Sequence, residues 1–170
     1  MTSRARLGVI RIAFGLALTG ISAVCIQAQA QDANAVITQR QDAMKAQGKS
    51  LTAIRNFVED KGDLATAQAA GAQLVQSLQG VPNLFPQKTS LAEFPGKTRA
   101  KPDIWAQWDK FVAADQAAAA QAQALSAALQ GGDKAAITAA LGNLARDVPG
   151  NTPTPGGCGG CHAVFRGPQT

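Results

Sequence analysis

Two cysteines and a histidine near the C-terminus have the spacing of a covalent cofactor site. Cys158, Cys161 and His162 form the run Cys-Gly-Gly-Cys-His. Such a C-x-x-C-H run is typical of the attachment site of c-type haem. Thiols three positions apart lie on one side of a helical turn, where each can add to a vinyl group of one porphyrin. His162, the only histidine in the chain, would then be an axial iron ligand.

Other readings of the same residues remain open at this stage. A zinc site would need a fourth ligand, and the only other cysteine is Cys25. A thioredoxin-like pair would lie near a βαβ pattern, which the sequence does not show. A disulfide between Cys158 and Cys161 suits an exported protein but leaves His162 unexplained. A dithiol or metal-binding bundle without haem is therefore the alternative to a haem protein.

Residues 1–30 have the features of a secretory signal. Two arginines, Arg4 and Arg6, precede the mostly apolar run 12–24, and Ala28-Gln29-Ala30 is an A-x-A cleavage site. The run is shorter than the ~20 residues that a spanning helix needs, so cleavage is favoured over a retained anchor. We predict a periplasmic protein that is cleaved after Ala30 and does not insert stably into the membrane.

The predicted mature chain, residues 31–170, suits one domain. Loss of three signal arginines would leave 13 basic and 11 acidic residues, a formal charge of +2. No basic cluster with interleaved aromatic residues remains, so nucleic acid is not expected as a partner. Alanine and glutamine are abundant and tyrosine is absent, which favours helix.

Hydrophobic spacing predicts four main helices. The first covers about residues 33–59, the second 64–79, the third starts near Pro102 or Asp103 and ends at Gly131-Gly132, and the fourth starts at Lys134 and stops by Pro149. A last short helix carries Cys158 to about Arg166. The fold class is all-α, an antiparallel four-helix bundle with a C-terminal CxxCH haem attachment site.

The first predicted helix carries two polar residues on its apolar stripe. Ile37, Met44 and Leu51 fall seven residues apart, and Arg40 and Gln47 occupy the positions between them. An arginine on a buried stripe is costly unless it is paired, and a haem propionate would be a suitable partner. The small residues of the second helix, among them Gly71, would let a neighbouring helix approach closely. The long connection 81–101 would cover a cofactor or bridge two neighbours.

With the bundle and the motif both in place, the chain resembles the class II c-type cytochromes, the cytochrome c′ and cytochrome c-556 family. The resemblance covers nearly all of the predicted mature chain. It rests on five short stretches in a fixed order: residues 40–45, 84–86, 98–100, 103–105 and the run from Cys158 to Arg166. In that family the last helix usually runs unbroken into the haem motif. Here a segment rich in proline and glycine, 149–157, interrupts it.

The resemblance implies one covalently attached haem c, with Cys158 and Cys161 as thioether attachment points and His162 as the fifth ligand. It places Arg40 near the haem and Met44 at the distal position. In c-556-type members that position is an iron-bound methionine, whereas c′-type members usually keep the sixth site empty. Thioether sulfur is a suitable iron ligand, and a methionine filling the core is the alternative.

Two functions follow from these alternatives. The first is a single-electron carrier with a low-spin haem ligated by His162 and Met44, acting with redox proteins of a respiratory or photosynthetic chain. The second is a c′-like protein whose open sixth site binds nitric oxide or carbon monoxide. No general base, nucleophile or substrate pocket is visible, so we expect no enzymatic activity. The resemblance also allows a homodimer through the first two helices.

Overall fold

The structure is a computed structural model that describes residues 22–145 and 157–168. It contains six α-helices in this part of the chain: α1 (Ser22–Val58), α2 (Leu64–Leu78), α3 (Asp103–Ala106), α4 (Trp108–Gly131), α5 (Lys134–Ala145) and α6 (Cys158–Phe165). A 3-10 turn, Val81–Leu84, follows α2. Within the described residues, no helix combines the length and apolar character that crossing a bilayer requires.

The four long helices form the predicted antiparallel bundle. α1 packs against α2 and α5, and α4 packs against α2 and α5, so the four helices enclose one core. Short turns join α1 to α2 and α4 to α5, and the long connection joins α2 to α3. No β-strand forms among the described residues, where one isolated antiparallel bridge joins Ala100 to Arg166.

Local signals in the sequence account for the turns. Asp63 caps α2, because its carboxylate accepts a hydrogen bond from the backbone nitrogen of Thr66 at 2.8 Å. Asp133 accepts one from the backbone nitrogen of Ala135 in the first turn of α5. Gly132 ends α4 with φ of +73°, a conformation that glycine adopts without a steric penalty. The predicted caps at Asp63 and Asp133 are confirmed.

The predicted apolar stripe of α1 is confirmed along the part that the bundle covers. Ile37 and Ile54 are buried, and Met44 and Leu51 pack partly buried against the core. Gly71 of α2 allows the close approach to α4 that its size predicts. A Cβ atom at Gly71 would lie 2.6 Å from Cδ1 of Leu129.

Two predicted helix boundaries are wrong. The first long helix begins at Ser22, well before the predicted start at residue 33. The third is broken at Gln107, whose φ of −128° leaves the helical region and separates α3 from α4. The sequence holds no proline or glycine at this break, so the apolar spacing alone runs the two helices together. Most of the predicted signal, residues 1–21, lies outside the described ranges. The same holds for residues 149–156 of the Pro/Gly-rich segment.

Candidate haem site

One end of the bundle contains a cavity that brings the predicted ligands together. Its volume is about 280 Å³, and it is lined by residues of α1, the connection, α3, α4 and α6. Met44 reaches it from α1 and His162 reaches it from α6. The two candidate axial residues therefore face one space, although 118 positions separate them in the sequence.

The apolar part of the lining comes from the helices and the connection. Three aromatic rings of this lining contact one another edge to face. The ring centroids of Phe85 and Phe111 are 4.8 Å apart, and those of Phe111 and Phe165 are 5.4 Å apart. Val81 and Ile104 complete this wall. A mostly apolar cavity with a few convergent polar groups is the usual form of a cofactor site.

Helix α6 presents the attachment motif at this cavity. Cys161 lines the cavity, and Cys158 lies one turn earlier, partly buried against the core. Both residues are thiols in the structure rather than a disulfide. The start of α6 packs tightly on the end of α5. A Cβ atom at Gly157, whose φ is +118°, would lie 2.9 Å from the carbonyl oxygens of Asn143 and Leu144.

The environment of Cys161 keeps its sulfur protonated. Burial raises the pKa of the Cys161 thiol to about 11, with smaller contributions from the negative charges of Asp115 and Cys158. Reactive dithiols instead have a lowered pKa, because the thiolate is the nucleophile. The chemistry at Cys161 therefore differs from that of a thioredoxin-like site. Within the described ranges, no group of three or more His, Cys, Asp or Glu side chains could hold a metal ion.

Arg40 lines the cavity and is 3% exposed. Its guanidinium nitrogens donate to the hydroxyl oxygen of Thr98 at 2.8 Å and to the carbonyl oxygen of Thr89 at 3.0 Å. Its Cζ lies 4.4 Å from the ring centroid of Phe85, a cation–π contact. Burial lowers the pKa of Arg40 to about 10, which leaves it charged at neutral pH.

The partners of Arg40 were not foreseen from the sequence. The predicted partner was a carboxylate of the cofactor, whereas the described groups around Arg40 are neutral oxygens and an aromatic face of the connection. Residues 84–86 and 98–100 carried the resemblance without an assigned role. Irregular segments have no periodicity to reveal such contacts, and only the order of the short stretches marked them.

The residues present fit a covalently held haem. Two thiols one turn apart, an imidazole and a thioether are the groups that attach haem and ligate its iron. A buried cation and an apolar wall accompany them at the same cavity. An all-α four-helix bundle that carries this set of donor groups is typical of one class of c-type haem proteins.

Comparison with known proteins gives the family. The profile of the family described as Cytochrome C′ matches residues 35–166, so the chain belongs to the cytochrome c′ family. Cytochrome c′ of Rhodospirillum rubrum is 29% identical over 140 residues, which cover 82% of this chain and 86% of that protein. The chain accordingly binds one covalently attached haem c, and it is a haem protein of the electron-transfer or ligand-binding kind.

Solved structures agree on the fold. Cytochrome c′ from Thermochromatium tepidum superposes with a TM-score of 0.69 at 20% identity, covering 80% of this chain and 97% of that one. R. palustris cytochrome c556 superposes with a TM-score of 0.55 at 24% identity, covering 79% of this chain and 98% of that one. Both likenesses concern the four-helix bundle.

Proposed function

We propose that this protein is a periplasmic single-electron carrier in which His162 and Met44 are the axial ligands of a low-spin haem c. Cys158 and Cys161 would attach the porphyrin through thioethers. When bound, the haem supplies an iron that can be both oxidised and reduced. The partners would be redox proteins of a respiratory or photosynthetic chain, and no enzymatic role is proposed.

The observation that carries this proposal is the shared cavity of Met44 and His162. An iron that keeps both protein ligands in both oxidation states needs little rearrangement, which suits electron transfer. Met44 packs partly buried against the core, so its thioether starts from a restricted position. Methionine–histidine ligation is also found in cytochromes c, where it raises the reduction potential.

The surrounding residues would restrict water and fix the ligands. Phe85, Phe111 and Phe165 are all less than 9% exposed and form the apolar wall. Burial and hydrogen bonding around a haem are levers that set its potential. Arg40 adds a fixed positive charge at the cavity, which would stabilise a nearby carboxylate and would favour the reduced iron over the more positively charged oxidised iron.

The second candidate is ligand binding at an open sixth site. It is supported by the name of the Rhodospirillum rubrum relative, cytochrome c′. In that case Met44 would fill space beside the iron without binding it. Nitric oxide or carbon monoxide would then enter from the Met44 side of the cavity.

An optical titration of haem-loaded protein separates the two candidates. We expect a low-spin spectrum in the wild type and a high-spin spectrum with faster carbon monoxide binding after Met44→Ala. Leu51→Ala, a truncation two turns further along α1, should leave the spectrum unchanged and serves as the matched control. A high-spin wild type would contradict methionine ligation, and a haem peroxidase stain of the denatured chain reports covalent attachment independently.

A further inference from the structure

Helix α6 cannot fix its own position. It contains eight residues, Cys158–Phe165. Isolated helices shorter than about 12 residues are marginal in water, because their nucleation costs more than a few hydrogen bonds return. The position of His162 therefore depends on what α6 touches on the rest of the fold.

The end of α6 pairs with the segment that precedes α3. The backbone nitrogen of Lys101 donates to the carbonyl oxygen of Phe165 at 3.0 Å, and that of Gly167 donates to the carbonyl oxygen of Arg99 at 2.7 Å. The Nε of Arg99 donates in turn to the carbonyl oxygen of Gly167 at 2.8 Å. Lys101 adds a hydrogen bond from Nζ to the carbonyl oxygen of Val164 at 2.8 Å.

The pairing leaves little space for a side chain at Gly167, and Leu91 would have to shift to admit one. A Cβ atom there would lie 2.9 Å from Cδ2 of Leu91 and 3.4 Å from the carbonyl oxygen of Arg99. Leu91 is itself tied to the same segment, because its backbone nitrogen donates to the carbonyl oxygen of Ala100 at 2.8 Å. The contact with α6 is thus close, directional and built from two parts of the connection.

The same segment is tied to α1 on its other side. The hydroxyl oxygen of Thr98 accepts from Arg40 at 2.8 Å and from the backbone nitrogen of Ala100 at 3.2 Å. Arg40 lies one turn before Met44 on α1. Thr98 is buried, so its bond to a charged donor is shielded from water and is of the stronger kind.

We propose that residues 98–101, the bracing segment, set the separation between Met44 and His162 across the cavity. Arg40 fixes the segment to α1, and Arg99 is the positioning residue that fixes it to α6. The ligand pair follows from the proposed function, whereas the bracing contacts are independent of whether Met44 binds iron. Loss of the α6 contact would let α6 move away from α1 and would weaken the Met44 ligand.

Two variants break the contact in different ways. Arg99→Ala removes the side-chain hydrogen bond to Gly167 and leaves the backbone pairing. Gly167→Ala places a methyl group against Leu91, and Leu91→Ala in that background removes the obstructing methyl groups. Arg55→Ala, an exposed arginine on α1, is the control.

The first measurement is amide hydrogen exchange in the haem-loaded protein. Loss of one hydrogen bond is worth ~0.5–1.5 kcal/mol, so exchange at residues 99–101 and 165–167 should become about twofold to tenfold faster in Arg99→Ala. The methyl group added in Gly167→Ala should displace the same pairing and also make exchange faster. The Gly167→Ala/Leu91→Ala pair should recover most of the protection, and Arg55→Ala should change nothing. Unchanged exchange in both single variants would overturn the proposal.

The second measurement is the ligation state, read from the optical spectrum and the reduction potential. Arg99→Ala and Gly167→Ala should raise the high-spin fraction, and the Gly167→Ala/Leu91→Ala pair should restore the low-spin spectrum. Faster exchange with an unchanged spectrum and potential would show that the contact does not control the ligands. If the wild type is high-spin, the proposed function fails by itself, and the carbon monoxide binding rate replaces the spectrum as the test of spacing, with an unchanged rate counting against it.

Discussion

The two ends of the bundle are built by different interactions. At one end, here called the closed end, the α1–α2 and α4–α5 turns lie together, joined by a 2.6 Å ion pair between Lys134 and Asp60. Apolar side chains fill the space behind them, and Leu129 is 0% exposed against Gly71. At the other end, here called the cavity end, the helices surround a space instead of filling it.

Hydrogen bonds replace apolar contact at the cavity end. Four of the six buried polar residues in the described part of the chain lie there, namely Arg40, Thr89, Ser90 and Thr98, whereas Gln47 and Ser50 lie further along α1. Arg40 ties the connection to α1 through its hydrogen bonds to Thr89 and Thr98, so polar contacts set the position of this wall. The closed end is therefore expected to supply most of the free energy of unfolding, whereas the residues of the cavity end keep the cavity open. Changes at the two ends should then affect different measurements.

Truncation at the closed end gives the largest expected effect on stability. Leu129→Ala removes a fully buried side chain from the contact between α2 and α4. Such truncations cost ~2–5 kcal/mol, from lost transfer free energy and the cavity left behind. Urea denaturation of the haem-loaded protein should show this loss in the free energy of unfolding.

The haem spectrum is the control for this variant. It should stay as in the wild type under native conditions, because Leu129 does not line the cavity. A change of spin state in Leu129→Ala would show that the two ends are not separable in this way.

A smaller loss is expected from an added methyl group at the same contact. Gly71→Ala would place Cβ 2.6 Å from Cδ1 of Leu129, and overpacking typically costs ~1–3 kcal/mol. Since both changes act on one contact, the Gly71→Ala/Leu129→Ala variant should lose less than the sum of the single losses. Denaturation of the three variants measures this coupling.

Gly48 provides the matched control for the glycine substitution. It lies on α1, and apart from the adjacent backbone of its own helix no atom lies within 4 Å of the position its Cβ would take. Gly48→Ala should therefore stabilise the protein by ~0.5–1 kcal/mol, because alanine loses less conformational freedom in a helix. Equal effects at the two glycines would contradict the close packing at Gly71.

The closed end could be predicted from the sequence because its interactions are periodic or local. The seven-residue apolar spacing that continues through Leu51 predicts the buried stripe of α1 as it runs toward this end. The turn residues Asp63 and Asp133 predict where helices begin. These signals lie within a few residues of the structure that they specify. The helix break at Gln107 was not predicted, because it has no such local signal.

The cavity end could be predicted only in part. The spacing of Cys158, Cys161 and His162 specifies the chemistry of α6, so the cofactor could be inferred. The contacts that place α6 join residues far apart in the chain, as between Arg99 and Gly167. Nothing in the order of residues indicates such a pair. The neutral partners of Arg40 were missed for the same reason.

A charge at the cavity end gives the smallest of the expected effects. Asp115 of α4 interrupts an apolar stripe, and burial raises its pKa from 3.8 to about 6. Between these two values the folded protein keeps a proton that the unfolded chain has lost. The free energy of unfolding should therefore fall as the pH rises through this window, and the loss is complete above about 6.

Asp115→Asn removes this cost while keeping the size of the side chain. Since Asp115 is half-buried, solvent screening reduces the effect, and we expect a stabilisation of about 1 kcal/mol or less above neutral pH. The gain should vanish at acidic pH, where Asp115 is protonated in both states. Asp109→Asn, an exposed change on the same helix, should shift stability by no more than about 0.5 kcal/mol at either pH. If denaturation curves show the same gain for Asp115→Asn at both pH values, the charge is not its cause, and the cavity end tolerates a carboxylate as readily as the surface does.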